Sequence, residues 1–247
     1  IRLNGAQALL SSGGTGLSTL RSAAAGTLTI QSTDGFSLLG IIEAAAPNSS
    51  VAGGTLKVSL SQQGKLDLAA PGGVAYPQGA DAGSRSISIT ANQTKAKALA
   101  AQRLFGEGVL GAHWINSSGF DRIQLQADES IRLDEGTHLR ADAGRTRLQS
   151  VVLDTPVLDL MARSTPSTAS VQADHVIQAH HVAMGPTTRL NSSLTPAVPA
   201  SQRSLTGDER LRVQAGLIEI SGDTAVQGAG TINLDATLSR DPGASDG

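Results

Sequence analysis

One stretch of the sequence, residues 121–161, constrains the fold more than any other. It contains five short apolar segments whose leading residues lie eight or nine positions apart: Ile123/Leu125, Ile131/Leu133, Leu139/Ala141, Leu148 and Val157/Leu158/Leu160. In the first two segments Gln or Arg separates the apolar residues, which predicts strands with one buried side and one solvent-facing side. The spacing is too short for intervening helices. Three such strands would close one coil of about 25 residues, which is typical of a parallel β-helix.

The composition favours an elongated stack over a large globular core. Only 2% of the 247 residues are aromatic, so small aliphatic side chains must do the packing, while 28 Gly and 9 Pro indicate frequent turns. Aligned rungs of Ile, Leu, Val and Ala satisfy both conditions. We therefore expect an all-β chain, a right-handed parallel β-helix formed by residues 1–247 as a single unit.

Charge and cysteine usage exclude several classes of protein. The formal net charge is −2, with both signs interspersed, so no basic surface for nucleic acid is predicted. The absence of cysteine excludes disulfide scaffolds, thiolate metal sites and cysteine nucleophiles, and it is compatible with export in an unfolded state. No apolar run is long enough for a membrane-spanning helix, so none is expected. The chain begins at Ile1 with neither Met nor a signal peptide, which suggests a processed product or an excised fragment.

Several segments interrupt the predicted stack. Residues 94–106 have Ala and Leu at helical spacing, with Thr94 as a plausible N-cap and Gly106 as a stop, and they predict one short helix; an Ala-rich strand and loop is the alternative. Irregular structure is expected over 1–25, beyond a strand-like start at 1–3, with protruding loops at 71–83 and 186–208 and a frayed tail at 237–247. Further strands are predicted in the following segments: 27–31, 36–40, 41–44, 55–61, 65–68, 86–90, 171–184 and 210–236.

A recurring phrase gives the chain a resemblance to a known family. Gly119, Phe120 and Asp121 precede an alternating strand, and Ile131–Asp134 follows it. Similar sequences recur at Leu211–Ala215 and Ile218–Gly222. This phrase resembles the repeat region of filamentous-haemagglutinin-like exoproteins of the two-partner secretion pathway. The match is clear over about residues 119–160 and 209–236 and plausible over 26–90.

The resemblance implies a segment of a long fibre on the bacterial outer surface or in the medium. The family's partners are a dedicated outer-membrane transporter during export and receptors or glycans on host or neighbouring cells. Its fibres serve adhesion, biofilm contact or the delivery of a toxin. The family's secretion domain carries Asn-Pro-Asn-Gly and Asn-Xaa-Asn-Gly motifs, whereas this chain has only Asn4-Gly5. We therefore expect a shaft segment without the export-recognition domain.

Histidines and carboxylates are the candidate chemical groups. His175 and His181 would share one face of an uninterrupted strand, with His180 opposite, but a zinc site needs three or four converging ligands, so a solvated face is predicted. Carboxylates fall mostly at predicted corners, where Asp is a common turn residue: Asp128, Glu129, Asp134, Glu135, Asp142, Asp154 and Asp159. A polysaccharide lyase or hydrolase is the alternative function, and glycoside hydrolysis would need two of these carboxylates at about 5 to 9.5 Å from each other. Trp114, Tyr76 and Phe120 are too scattered to line a saccharide groove.

The remaining polar patterns favour surface roles. Asn48, Asn92, Asn116 and Asn191 lie in Asn-Xaa-Ser/Thr sequences, which permit glycosylation but are also common in turns. Arginines interleaved with Asp and Glu predict charge ladders between rungs: Arg122, Arg132, Arg140, Arg145 and Arg147. We predict no catalytic, cofactor-binding or metal-binding residue. The sequence favours a structural shaft segment of a secreted or surface-attached adhesin over the enzyme.

Overall fold

The computed structural model describes residues 1–11, 18–40, 42–61, 85–102, 106–134, 136–140, 148–161, 174–186 and 207–237. Strands account for 56% of these residues and helices for 10%. The predicted predominance of β structure is confirmed. The predicted loop at 71–83, the predicted strand at 65–68, residues 187–206 of the second loop and residues 238–247 of the tail lie outside the described residues.

The described residues form seventeen strands and two helices. The strands are β1 (Gln7–Ser11), β2 (Ser18–Ser22), β3 (Thr27–Ser32), β4 (Gly35–Leu38), β5 (Gly54–Leu60), β6 (Ser86–Thr90), β7 (Glu107–Gly111), β8 (Phe120–Ala127), β9 (Ser130–Leu133), β10 (His138–Leu139), β11 (Leu148–Asp154), β12 (Val157–Leu160), β13 (Asp174–Met184), β14 (Glu209–Gln214), β15 (Leu217–Ile220), β16 (Ala225–Gln227) and β17 (Ala229–Asp235). The helices are α1 (Gln93–Gln102) and α2 (Ala112–Ser117).

Two parallel sheets contain all of the strands except β1 and β2. The nine-stranded sheet has two branches that share the long strand β13. The long branch runs β3, β5, β8, β11, the second half of β13 and β15. The short branch contains β10, the first half of β13, β14 and β17. The second sheet runs β4, β7, β6, β9, β12 and β16.

Consecutive strands in the central part of the chain visit these surfaces in one order. From β8 to β13 the chain passes twice through the long branch, the second sheet and the short branch, and it ends on the long branch. The next described strand, β14, lies on the short branch, and β16 of the second sheet pairs directly with β12, so the described strands do not keep this order between β13 and β14. Val151 of β11 pairs with Ile123 of β8 on one side and with Val182 of β13 on the other. Because these paired residues are more than 25 positions apart in the sequence, the observed repeat contains somewhat more residues than the predicted coil of about 25.

The core is a set of aligned apolar columns that run across the strands. Leu56, Ile123, Val151 and Val182 occupy successive paired positions of the long branch, and all are at most 1% exposed. The second sheet has matching columns, in which Ile89, Leu133 and Leu160 are paired and buried. Strand alternation places these side chains on one side of each sheet. Burial of each Leu or Ile contributes roughly 1.5–3 kcal/mol.

The helix predicted over 94–106 is present as α1, but its cap differs from the prediction. The Asn92 side chain accepts hydrogen bonds from the backbone N–H groups of Thr94 and Lys95, so Asn92 rather than Thr94 is the N-cap. The prediction of the cap was wrong because Asn92 offers an equally short acceptor two positions earlier. In the second sheet β7 lies between β4 and β6, so α1 carries the chain back by one position in the strand order.

The Gly-Phe-Asp lead-in to β8 has a structural explanation. Gly119 has φ +83°, a conformation that favours glycine, and a Cβ at this position would meet the backbone of Ala45. Phe120 is buried, and the Asp121 carboxylate accepts a hydrogen bond from the Gly53 N–H. The three residues therefore fasten the start of β8 to the segment that precedes β5.

Four further features differ from the sequence predictions. Strands β1 and β2 form an antiparallel pair within the region predicted to be irregular, and Arg2 makes only an isolated bridge with Glu43 where residues 1–3 were expected to be strand-like. Residues 42–44 of the predicted strand at 41–44 contribute only that bridge, although Ile42 and Ala44 are buried. Helix α2 was not predicted, because its six residues are too few to display a helical period.

Candidate functional site

A row of polar side chains crosses the solvent-facing side of the long branch. Arg122, Ser150 and His181 occupy paired positions on β8, β11 and β13. The Ser150 hydroxyl lies 3.1 Å from His181 Nδ1, and His181 Nε2 lies 3.1 Å from Glu219 Oε2 on β15. Three strands thus place a hydroxyl, an imidazole and a carboxylate in one hydrogen-bonded chain, which we call the Ser–His–Glu chain.

The partners of His181 fix the direction of the hydrogen bonds. The Glu219 carboxylate can only accept, so Nε2 of a neutral His181 carries the proton, and Nδ1 accepts the hydroxyl proton of Ser150. This is the proton arrangement that general-base activation of a serine requires. The His181 side chain is 32% exposed and the Glu219 side chain is 57% exposed. The Ser–His–Glu chain therefore lies on an open sheet face, where solvent screens its charges.

The prediction for the histidines of β13 was wrong. His175 is fully buried and lies beside Leu211, whereas His181 faces solvent. The strand is not uninterrupted: it passes from the short branch to the long branch, and both His180 and His181 are partly exposed at that passage. This change of branch shifts the alternation, so residues six apart point to opposite sides.

His175 lies in a buried polar cluster. Its Nε2 is 3.7 Å from Glu209 Oε2, and neither ring nitrogen has a hydrogen-bond partner among the described residues. Burial lowers the pKa of His175 to about 4, and the nearby carboxylates of Asp134 and Asp174 oppose the shift only in part. The imidazole is therefore neutral at pH 7. Among the described residues, no group of three or more His, Cys, Asp or Glu is arranged to hold a metal ion.

Most of the carboxylates predicted at corners lie at corners, two lie outside the described residues, and one lies within a strand. Asp128 and Glu129 form the bend between β8 and β9, and Asp134 follows β9, where it accepts hydrogen bonds from Thr90 and Lys95. Asp154 ends β11, while Glu135 and Asp142 lie outside the described residues. Asp159 differs from the prediction because it lies within β12 rather than at a corner. Burial raises the pKa of its carboxyl, and the Arg132 guanidinium partly opposes that shift.

Charge ladders are present at two of the described places. Arg132 lies 2.9 Å from Glu107 and 3.9 Å from Asp159, so one guanidinium links three strands of the second sheet. Arg210 and Asp174 are paired on β14 and β13 at 3.3 Å. Arg122 and Arg140 are exposed, whereas Arg145 and Arg147 lie outside the described residues.

The asparagines of the glycosylation sequences have structural partners. The Asn116 amide donates to the His138 carbonyl oxygen and its oxygen accepts from the Arg140 N–H, so it fastens α2 to β10. The Asn48 amide donates to Ser22, and Asn92 caps α1. Asn191 lies outside the described residues.

The same face of the long branch has a shallow polar groove of about 160 Å³. Its lining comes from β3, β5 and β8 and includes Thr29, Lys57, Ser59, Gln124 and Gln126. The Ser59 hydroxyl donates to the Gln126 side-chain oxygen at 2.8 Å.

No aromatic side chain lines this groove. Phe120 is buried and Trp114 packs over Gly111, whereas Tyr76 lies outside the described residues. The stacking surface that a saccharide groove commonly uses is therefore missing from the groove's lining.

Comparison with known proteins finds no match: no family model, no curated protein and no solved structure matches the chain. Within the described part of the chain, neither helix has the length and apolar character needed to cross a membrane.

Sequence reasoning did not find the Ser–His–Glu chain. Ser150, His181 and Glu219 are 31 and 38 residues apart, and only the strand register brings them together. Counting registers forward from Ser150 would have found His181 but not the carboxylate, because the residue paired with His181 is Leu217 and Glu219 lies two positions further along β15. The buried position of His175 did have a sequence signal, since the alternation with Asp174 and Gln178 places it on the same side of the strand as Ile177 and Ala179.

Proposed function

We propose that the chain is a right-handed parallel β-helix that serves as a structural shaft segment of a large exoprotein. The observation that carries this proposal is the order in which β8 to β13, and again β15 to β17, visit the long branch, the second sheet and the short branch. A chain that revisits three surfaces in the same order, always in parallel pairs, advances by one strand spacing for each turn, about 4.8 Å.

The apolar columns support extension as the physical role. Leu125, Leu153 and Met184 continue one such column across β8, β11 and β13, and each is at most 4% exposed. Every rung buries its apolar residues against the rung on either side, so stability grows by adding rungs and does not require a globular core. Such a stack suits a spacer that holds binding surfaces away from a cell.

The biological setting of the proposal comes from the sequence phrase. Gly119–Asp134 resembles repeats of filamentous-haemagglutinin-like exoproteins, so we propose secretion by the two-partner pathway and a place on the bacterial outer surface. The partners would be an outer-membrane transporter during export and receptors or glycans on a target cell. The polar groove offers a surface for such contacts.

Adhesion by coated beads tests this function. Latex beads carrying the purified chain should bind cultured epithelial cells or biofilm-forming bacteria several-fold more than beads carrying serum albumin. Replacing residues 187–206 with a Gly-Ser linker of equal length tests whether that segment makes the contact, with replacement of 71–83 as the matched control. Binding no greater than the albumin level on both cell types would contradict an adhesive role.

Asp159 favours a second candidate function, a carbohydrate-active enzyme. Burial raises its pKa, as a general acid requires, and Glu107 lies on the other side of Arg132. The assay is release of reducing ends or unsaturated products from a panel of neutral and acidic polysaccharides. Turnover that is abolished in Asp159→Asn and retained in the exposed control Asp223→Asn would establish the enzyme and displace the purely structural function.

A further inference from the structure

The Ser–His–Glu chain lies where a purely structural stack has no need of it. Ser150 is partly exposed, and the His181 and Glu219 side chains are 32% and 57% exposed, so their hydrogen bonds hold no apolar column in place. Charged pairs at this exposure contribute about 1 kcal/mol or less to stability. The order of the groups is nevertheless that of a nucleophile, a general base and a carboxylate that orients the base.

We propose that the Ser–His–Glu chain is a catalytic site for the hydrolysis of carboxylic esters, with the acyl groups of an acidic glycan as its substrates. Ser150 is the nucleophile, His181 is the general base, and Glu219 is the residue that positions His181. The proposal does not depend on the shaft function, because it uses only the solvent-facing side of the long branch.

The reaction follows from the hydrogen bonds of His181. Nδ1 lies 3.1 Å from the Ser150 oxygen, and Glu219 holds a proton on Nε2, so one ring nitrogen is the base and the other the anchor. As the Ser150 oxygen bonds to the ester carbonyl carbon, its proton passes to Nδ1. The bond from that carbon to the alcohol oxygen then breaks, and the alcohol leaves with the proton. Water attacks the acyl-serine in the same way, its proton passes through His181 to the Ser150 oxygen, and the carboxylic acid is released.

Arg122 lies beside Ser150 on the side away from His181, because β11 is paired with β8 on one side and with β13 on the other. The tetrahedral intermediate places negative charge on the former carbonyl oxygen, which needs a hydrogen-bond donor. Backbone N–H groups of a strand paired on both sides are used in its two ladders, so the donor is a side chain. Adjacent strands are about 4.8 Å apart, a span that the exposed Arg122 guanidinium can cross.

The face beside Ser150 selects the substrate. On β3, β5 and β8 the outward-facing alternate positions hold Lys57, Arg122 and otherwise only Thr, Ser and Gln. Two cations without a carboxylate among these positions favour a negatively charged substrate. The hydroxyl and amide side chains of the shallow groove suit the hydroxyl groups of sugars, whereas a lipid ester would need an apolar surface. An open face also accepts a polymer, so an O-acylated acidic glycan fits the site.

Hydrolysis of p-nitrophenyl acetate tests the chemistry. The unmodified chain should release p-nitrophenol faster than buffer does, and Ser150→Ala and His181→Ala should each lower kcat/KM at least tenfold. The matched controls are the exposed residues Ser37 and His113, whose alanine variants should keep the rate of the unmodified chain. Circular dichroism checks that each variant is folded. A rate equal to that of buffer, or an equal loss in the controls, would overturn the proposal.

Covalent labelling locates the nucleophile without any substitution. A fluorophosphonate bonds to an activated serine oxygen, and fluoride leaves as the serine proton is lost. The label should appear on the tryptic peptide 148–163, in which Ser150 is the only serine. Labelling of this peptide should exceed that of the heat-unfolded chain at least tenfold. Equal labelling of the folded and unfolded chains would overturn the assignment of Ser150.

The variant Glu219→Gln tests the positioning residue. Glutamine still offers an oxygen to the Nε2 proton but removes the negative charge that stabilises the imidazolium formed during the reaction. We expect kcat to fall severalfold while KM stays the same, with partial recovery in Glu219→Asp and no change in the exposed control Asp223→Asn. An unchanged kcat in Glu219→Gln would overturn the role of Glu219.

Acetate release from O-acetylated polygalacturonate and from O-acetylated starch tests the substrate class. The acidic glycan should react at least tenfold faster, and its advantage should shrink as salt screens the cations. Lys57→Gln should lower the rate on the acidic glycan at least threefold, whereas Lys97→Gln, at an exposed position on α1, should not. Equal rates on the two glycans would overturn the acidic substrate. Adhesion of coated beads is measured separately, so a chain without esterase activity would leave the shaft function standing.

Discussion

The central stack and the outer edge use the same residue pattern in different surroundings. In the central stack, β8, β9, β11 and β12, strands lie on both sides of each rung, and Leu125 and Leu153 are fully buried. At the outer edge, β15–β17, Ile220 and Leu234 continue the alternation but are 57% and 46% exposed. Alternation of apolar and polar residues alone therefore does not create a core. An apolar residue is stabilising here only when a rung covers it on each side.

Truncation of one leucine in each region should give the largest contrast. Leu125→Ala removes methyl groups from a filled column, and we expect a loss of about 2–5 kcal/mol in the free energy of unfolding. Leu234→Ala removes groups that are already half in water, so a loss below about 1 kcal/mol is expected. Urea unfolding of both variants, followed by circular dichroism, checks the difference. Equal losses would contradict the distinction between the regions.

Acidification should weaken the junction between the two regions, where His175 is buried on β13. Its folded-state pKa of about 4 lies below the value of about 6.5 expected when unfolded, so the unfolded chain binds the proton first as pH falls. Stability is therefore fully present above about pH 6.5 and declines toward pH 4, by about 3 kcal/mol in total. Asp134, His138, Asp174 and Glu209 lie around the ring.

The variant His175→Leu separates the histidine from those neighbours. The slope of unfolding free energy between pH 6.5 and 4 should flatten in this variant, whereas the exposed control His113→Leu should keep the slope of the unmodified chain. A slope unchanged in His175→Leu would show that the carboxylates, and not this imidazole, govern the acid response.

The surface ion pairs should show the smallest effect and no contrast between the regions. Arg132 in the central stack and Arg210 near the outer edge both pair across strands while remaining about one third exposed. Substitution of either arginine by Ala should cost no more than about 1 kcal/mol, and the cost should shrink at high salt. A much larger loss at Arg132 alone would mean that the central stack depends on charge as well as on apolar burial.

The sequence predicted the central stack well because its repeat is local. Ile123, Ile131 and Leu139 recur at short, even intervals, and each interval contains a strand and a turn. The buried side followed from the alternation alone, and Ile131 and Leu133 are indeed fully buried. The parallel pairing followed because each connection back to the same surface contains two other strands.

Other features depend on contacts that no single segment displays. In the second sheet, β7 could lie on either side of β6, and the alternation of apolar residues fits both positions. The observed order, in which α1 carries the chain back by one position, is therefore not visible in the sequence. The β1–β2 pair joins residues on either side of a Gly- and Ser-rich segment, which lacks a strand signal. Likewise, the Ser–His–Glu chain depends on register across three strands, and the placement of His175 and His181 on opposite sides depends on where β13 changes branch.

Excision of one register repeat tests whether the molecule is a stack of equivalent parallel rungs. Removing residues 123–150 joins Arg122 to Val151, the residue paired with Ile123, so every later strand should return to its own surface. We expect a β-type circular dichroism spectrum, cooperative unfolding and, in small-angle X-ray scattering, a particle shorter by about 4.8 Å along the stack. Removing only 123–136, half of the repeat, should abolish cooperative unfolding. Loss of folding in the full-repeat variant, or equal tolerance of both excisions, would show that the rungs are not equivalent.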